Sequence, residues 1–283
     1  MKYYLDTEFH EHKKQPKVLG IKVGNPIDTI ELISIGIVSG DIKKTFEPPY
    51  VHHETVYTQR EYYAICKEFD VEAAWNKNQG TKEKPDYWLR ENVLKGIFDE
   101  LLEKERAYIY KAQQCNVYLS CEIKDRFCLR LFKKYLNKYG KTRAQITEEI
   151  KGFTNVDGEG LCNCSCGYPC IKGKRGSAPR CIASELNIEF YSYYADYHWV
   201  VFCWLFGRMM DLPKGFPMYC KDLKQMKDDL YISDGKQVQS NITDEDSRDR
   251  FLLEVGYPKQ TNEHNALADA KWNKELHKFI ESI

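Results

Sequence analysis

Residues Lys2–Phe9 (KYYLDTEF) place two carboxylates, Asp6 and Glu8, in a run otherwise rich in β-favouring side chains. Positions two apart on an extended strand project from the same face, so a strand here carries both acids on one side. A fold built on such a strand must leave that face in water or bring cations to it, because buried carboxylates repel one another and titrate upward. Two more segments suit the same sheet. Thr29–Val38 (TIELISIGIV) is β-rich and pairs with the first strand across a long polar connection, and Glu61–Cys66 (EYYAIC) reads as a third strand.

Asp70 can cap a short helix running through Trp75, after which Asn76–Lys84 is polar and loop-like. From Asp86 to about Tyr139 the spacing of Trp88, Leu89, Val93, Leu94, Ile97, Phe98 and Leu101 is helical, and Phe127–Tyr139 reads as another helix. Asn155–Arg180, rich in Gly, Cys and Pro, has no apolar period and reads as an irregular excursion. Ile188–Ala195 (IEFYSYYA) predicts a strand with Asp196 at its C-terminal end, ahead of an apolar segment starting at Trp199. Phe216–Cys220 is expected as a last strand, Asp222–Leu230 as a helix and Tyr231–Asn262 as a polar connection. Asn265–Ile280 closes the chain as a helix with Leu267, Leu276, Phe279 and Ile280 inward. The expected organisation is one domain over residues 1–283, with a helical insertion at about 98–140 and a Cys-rich one at about 155–187.

Asp6, Glu8, Asp196 and Asp269 all fall at strand ends or helix starts rather than on plainly solvated faces. An Asp-x-Glu pair alone is usually a wet strand face; joined to the other two acids it argues for divalent metal, since two Mg²⁺ or Mn²⁺ ions neutralise four carboxylates. Paired metals stabilise both the attacking and the leaving oxygen of a phosphodiester. His264 lies five residues before Asp269, a separation that suits a histidine on the preceding loop and the acid in the first helical turns. With an unperturbed pKa of about 6.5, such a histidine accepts a proton from metal-bound water near neutrality.

The 42 Lys and Arg balance the 42 Asp and Glu, which excludes the strong basic excess of a long-footprint nucleic-acid binder but not an enzyme that grips only a strand end. Neither a Walker-type phosphate loop nor a GxGxxG turn occurs, which argues against nucleoside-triphosphate hydrolysis and dinucleotide redox chemistry. No leader pattern opens the chain, and Trp199–Phe206 is far shorter than the roughly 20 residues that span a bilayer, so a cytoplasmic protein without a membrane anchor is expected. Without a leader, the 11 cysteines read as thiols or metal ligands. Cys162, Cys164, Cys166, Cys170 and Cys181 suffice for a structural Zn²⁺ site, and a reduced Cys-rich loop is the equal alternative. Cys66, Cys115, Cys121, Cys128, Cys203 and Cys220 read as core or boundary thiols. Phe9 could stack on a terminal base, though a core role is favoured. Lys172, Lys174 and Arg175 could hold phosphates, with a solvated charge run the commoner explanation. His10 and His12 flank Glu11 without the H-E-x-x-H spacing, and no role is assigned to them.

The segments YYLDTEF, ELISIGIV, YYADYHW and EHNALADA, in that order, resemble the DEDDh exonuclease superfamily of DnaQ-like and ribonuclease T-like enzymes. They are most similar to the small bacterial 3′–5′ exoribonuclease group, and QREYYAICKEFD and FPMYCKDLKQM resemble that group's intervening segments, for roughly 120 positions in all. The resemblance implies a ribonuclease H-like α/β fold, a mixed five-stranded sheet flanked by helices with the site at its carboxylate-bearing centre. It assigns Asp6 and Glu8 to the first motif, Asp196 to the second, and His264 with Asp269 to the third, the histidine marking the h-type subclass. The implied activity is two-metal-ion hydrolysis of terminal phosphodiesters at RNA 3′ ends, releasing nucleoside 5′-monophosphates. A DNA-directed exonuclease, or a non-catalytic protein of the same fold that binds nucleic acid or another partner, is the alternative. Gly40–Thr58, much of Phe98–Gly140, Asn155–Asn187 and Tyr231–Thr261 depart from the family pattern.

Overall fold

The computed structural model describes residues 1–19, 21–45, 55–114, 123–154, 170–171, 180–181, 188–233 and 256–282. Its strands are β1 (Lys2–Lys14), β2 (Lys17–Val18), β3 (Ile21–Lys22), β4 (Ile27–Ser39), β5 (Ile42–Thr45), β6 (Thr55–Thr58), β7 (Glu61–Ile65), β8 (Cys170–Ile171), β9 (Arg180–Cys181), β10 (Glu189–Ser192) and β11 (Lys221–Asp222). The α-helices are α1 (Val71–Trp75), α2 (Lys95–Gln114), α3 (Leu129–Tyr139), α4 (Arg143–Thr154), α5 (Ala195–Phe206), α6 (Leu223–Ser233) and α7 (Ala266–Ser282), with a π-helical turn at Arg90–Leu94 leading into α2.

Five strands form one mixed sheet in the order β11-β10-β1-β4-β7, with β1 in the centre. β1 runs parallel to β10, with Tyr3 opposite Phe190 and Tyr4 opposite Tyr191, and β10 runs parallel to β11. β4 is antiparallel to β1: Gly40 N–H donates to the Lys2 carbonyl at 2.8 Å while His12, far along β1, meets Glu31 early in β4. β7 is antiparallel to β4, since Ser39 N–H donates to Arg60 O (2.9 Å) and Cys66 N–H to Ile33 O (2.8 Å). A mixed five-stranded α/β sheet with helices is therefore established. Among the described residues no helix is long and apolar enough to cross a membrane.

By their contacts the residues fall into two compact units: Met1–Asp6, Gly36–Tyr63 and Thr147–Ile283 make one, Thr7–Ile35 and Ala64–Ile146 the other. In the first, α7 buries Ala270, Leu276 and Ile280 against Tyr4, Val38, Tyr191 and Leu223. Polar pegs fix its register. Lys274 Nζ, almost wholly buried, donates to Asp41 Oδ1 (2.6 Å) and Gln59 Oε1 (2.7 Å), and His277 Nδ1 meets the Tyr4 hydroxyl at 2.9 Å. α5 packs Trp199 and Phe202 onto Phe190, with ring centroids 5.3 and 5.2 Å away. Burial of each such side chain contributes about 1.5–3 kcal/mol.

In the second unit, α2 buries Ile97, Phe98 and Leu101, which the sequence spacing predicts, together with Leu102 and Ile109, and α3 buries Leu131, Phe132, Tyr135 and Leu136. Glu105, largely buried on α2, is held by Lys138 (2.5 Å) and the Tyr139 hydroxyl. Asp70 caps α1 as expected, its Oδ1 accepting from Ala73 N–H at 2.9 Å.

Several boundaries differ from expectation. β1 continues to Lys14, well past Phe9. Phe216–Cys220 is not a strand: Pro217 has no N–H for a ladder, and pairing with β10 begins only at Lys221, opposite Tyr191. The strand expected over Ile188–Ala195 stops at Ser192, because Tyr194 takes a left-handed conformation (φ 54°) and Ala195 already opens α5. Asp196 thus lies in the first turn of a helix. α4 was not anticipated, although Thr142 and Gln145 form a reciprocal capping box at its start, with Gln145 N–H to Thr142 Oγ1 at 3.1 Å and Thr142 N–H to Gln145 Oε1 at 2.9 Å. In the Cys-rich segment the backbones of Cys170 and Cys181 pair directly across β8 and β9. Cys162, Cys164, Cys166, Lys172, Lys174 and Arg175 lie outside the described residues, as do Cys115 and Cys121.

Candidate metal centre

The central strand brings the first two acids. Tyr3, Tyr4 and Leu5 are buried, so β1 is covered on both faces where it reaches Asp6, itself only 7% exposed. Glu8, half-buried, follows two residues along the same strand.

α7 brings the third. The backbone of β4 comes so close to the start of α7 that a Cβ on Gly36 would lie 2.2 Å from Ala266 O and 2.5 Å from Leu267 Cα, so only glycine permits this approach. Asn265 caps the helix, its Oδ1 accepting from Ala268 N–H (3.0 Å) and its carbonyl from Asp269 N–H (2.9 Å). The chain enters through two left-handed residues, Asn262 (φ 56°) and His264 (φ 66°). One turn beyond Asp269, the buried Asn273 donates from Nδ2 to Leu5 O at 3.0 Å, pinning the helix to β1 next to Asp6. In consequence one carboxylate oxygen from each of Asp6, Glu8 and Asp269 lies within 4.8 Å of the others.

Burial pushes the Asp269 carboxyl above the usual carboxylate range, and the partners that oppose this do not overcome it: Gln260 Nε2 donates to Oδ1 at 2.6 Å, and His264 adds its charge and its backbone N–H. A divalent cation would reverse the balance, and three hard oxygen donors in a buried cluster suit one.

Of the five residues expected at the site, Asp6, Glu8 and Asp269 converge, and His264 touches Asp269 through its backbone. Asp196 does not join the three: it is exposed, and it is one of the charges that, after burial itself, push the Cys220 thiol upward. The Nε2 of His198 stands 3.6 Å from Asp6 Oδ1, although His198, like Asp196, is not among the three mutually close donors. His198, Gln260 and Asn273 were not singled out from sequence. His198 sits inside the YYADYHW segment, two residues from the acid that drew attention, while no period links Gln260 to Asp269. No protein-family model matches the chain, and no curated protein matches it.

Proposed function

We propose that the chain is a metal-dependent 3′–5′ exoribonuclease of the DEDDh type, built on a ribonuclease H-like sheet. The observation that carries this reading is the convergence of Asp6, Glu8 and Asp269 at the central strand of a mixed five-stranded sheet. These residues would hold two Mg²⁺ or Mn²⁺ ions, which when bound lower the pKa of water and offset the charge of the scissile phosphate. Asp6 and Glu8 present their carboxylates from a rigid, doubly covered strand, so little reorganisation is needed when substrate arrives. His264 takes the proton of the attacking water, and its backbone hydrogen bond to Asp269 makes base and ligand move together. The substrate is the 3′ end of a single strand, released stepwise as nucleoside 5′-monophosphates, with RNA preferred to DNA on the strength of the resemblance.

The test is the shortening of 5′-labelled single-stranded RNA and matched DNA with Mn²⁺ or EDTA, comparing wild type with Asp269→Asn. Stepwise loss of mononucleotides that requires both metal and Asp269 is expected, faster on RNA. Faster DNA shortening would move the assignment to a DNA-directed exonuclease. No shortening of either polymer by folded, metal-supplied protein would replace the catalytic reading with a binding one.

A further inference from the structure

We propose that His198 supplies, through Nε2, the fourth donor of the metal centre in the place that motif order gives to Asp196, and that the resulting set takes Mn²⁺ in preference to Mg²⁺. This rests on the metal-centre reading above.

The geometry favours the histidine. Residues two apart on an α-helix are turned by about 200° about its axis, so Asp196 and His198 project from nearly opposite sides of α5 and only one can face Asp6. The helix is locked in rotation by two contacts. Asp222 Oδ2 accepts from Ala195 N–H at 3.0 Å, and Trp199 Nε1 donates to Met218 O at 3.2 Å. So held, α5 turns His198 inward, with side-chain exposures of 14% for His198 and 11% for Asp6, and leaves Asp196 in solvent. The 3.6 Å from Nε2 to Asp6 Oδ1 is long for a hydrogen bond. At this separation imidazole and carboxylate stand close enough to share one cation after a small shift of either side chain.

Charge and ligand chemistry agree. Three carboxylates and a neutral imidazole leave two divalent ions with one unit of positive charge in excess, which a phosphodiester's single negative charge completes; a fourth carboxylate would leave none. Mg²⁺ is the harder ion and keeps to oxygen donors, so exchanging a carboxylate for an imidazole nitrogen costs Mg²⁺ more than it costs Mn²⁺, a first-row transition ion.

The experiment is Mn²⁺ and Mg²⁺ titration of substrate-free protein, with electron spin-echo modulation of the bound Mn²⁺ to detect a directly coordinated nitrogen. Wild type is expected to bind Mn²⁺ more tightly than Mg²⁺ and to show nitrogen coupling. His198→Ala should lose the coupling and weaken Mn²⁺ binding on the order of 10–100-fold or more. His264→Ala and Asp196→Asn should both retain the coupling. His198→Asp, a second variant that keeps a donor in place, should lose the coupling and shift preference toward Mg²⁺. Bound Mn²⁺ without nitrogen coupling in wild type, or coupling that survives in His198→Ala, overturns the assignment of His198 while leaving the metal centre standing. Equal affinity for the two ions overturns the stated preference. Wild type that binds no Mn²⁺ at all overturns the metal centre itself, and this inference with it. Far-ultraviolet circular dichroism on each variant separates a lost donor from a lost fold.

Discussion

The even-numbered positions of β1 present acids in its middle, Asp6 and Glu8, and basic groups toward its C-terminal end, His10, His12 and Lys14, and the buried carboxylates near them are treated in opposite ways. Glu31 on β4 receives Lys14 Nζ at 2.7 Å, His12 Nε2 at 3.1 Å and Asp70 N–H at 2.7 Å. Burial acts to raise its carboxyl, yet these partners win and hold it below the usual range. Asp269 has the Gln260 amide and the influence of His264, and burial wins. The chain has given Glu31 a cation of its own, whereas the cluster of Asp6, Glu8 and Asp269 brings carboxylates together in an arrangement that could hold a metal ion.

The largest test of that contrast is Asp6→Asn. Metal-dependent RNA shortening is expected to fall on the order of 10³-fold, with unfolding in EDTA little changed. Glu31→Gln, by comparison, should lower stability with little direct effect on turnover. An equal loss of activity from Glu31→Gln in protein shown to be folded would erase the distinction between the middle of the strand and its C-terminal end.

Next in size is Gly36→Ala, which sharpens how Asp269 reaches its neighbours. A Cβ 2.2 Å from Ala266 O forces α7 away from β4, so about 3 kcal/mol of stability is expected to go, along with Mn²⁺ affinity. Chemical denaturation checks the first and titration the second. A stability change under about 0.5 kcal/mol would mean that the helix start yields freely and does not fix Asp269.

The elements legible in the sequence were those whose signal is local. The β-favouring runs of β1 and β4 reflect strands covered on both faces over much of their length, and the helical spacing of Ile97, Phe98 and Leu101 reflects burial of one helix face. The pairing of Asp6 with Glu8 was legible for the same reason. The placement of His198 beside Asp6 was not, because it depends on the rotation of α5, which Asp222 and the Met218 carbonyl set from elsewhere in the chain. The end of β10 was misplaced because Tyr193 and Tyr194 have β propensity, and the left-handed turn at Tyr194 overrides it. α4 carries a Thr142–Gln145 capping signal but no strong apolar run behind it, so its sequence alone does not mark a helix.

At the basic end, metal-free protein should lose stability in acid through His10. Burial, then the neighbouring His12, stacked at 4.5 Å, holds the His10 imidazole down to about 4, against roughly 6.5 in an unfolded chain. The unfolded chain therefore binds this proton first. The contribution is fully present above about pH 6.5 and is lost as the pH falls toward 4, a change on the order of 2 kcal/mol once solvent screening is allowed for. Denaturation midpoints of wild type and His10→Gln across that range measure it. The variant should show the shallower slope, and parallel curves would remove His10 from the account.

The smallest effect is expected from Lys14→Met, although Lys14 provides one of the shortest contacts to Glu31. The lysine side chain is 59% exposed while that of Glu31 is 3% exposed, so the attraction is spent largely across solvent and opposed by the entropy of ordering a long side chain. Glu31 keeps His12 and the Asp70 N–H when Lys14 is removed. A loss of about 0.5–1 kcal/mol is expected in low salt, shrinking as ionic strength rises. A loss of about 3 kcal/mol, insensitive to salt, would place the pair among fully desolvated ion pairs, and Glu31 would then depend on its lysine rather than on His12 and the Asp70 N–H.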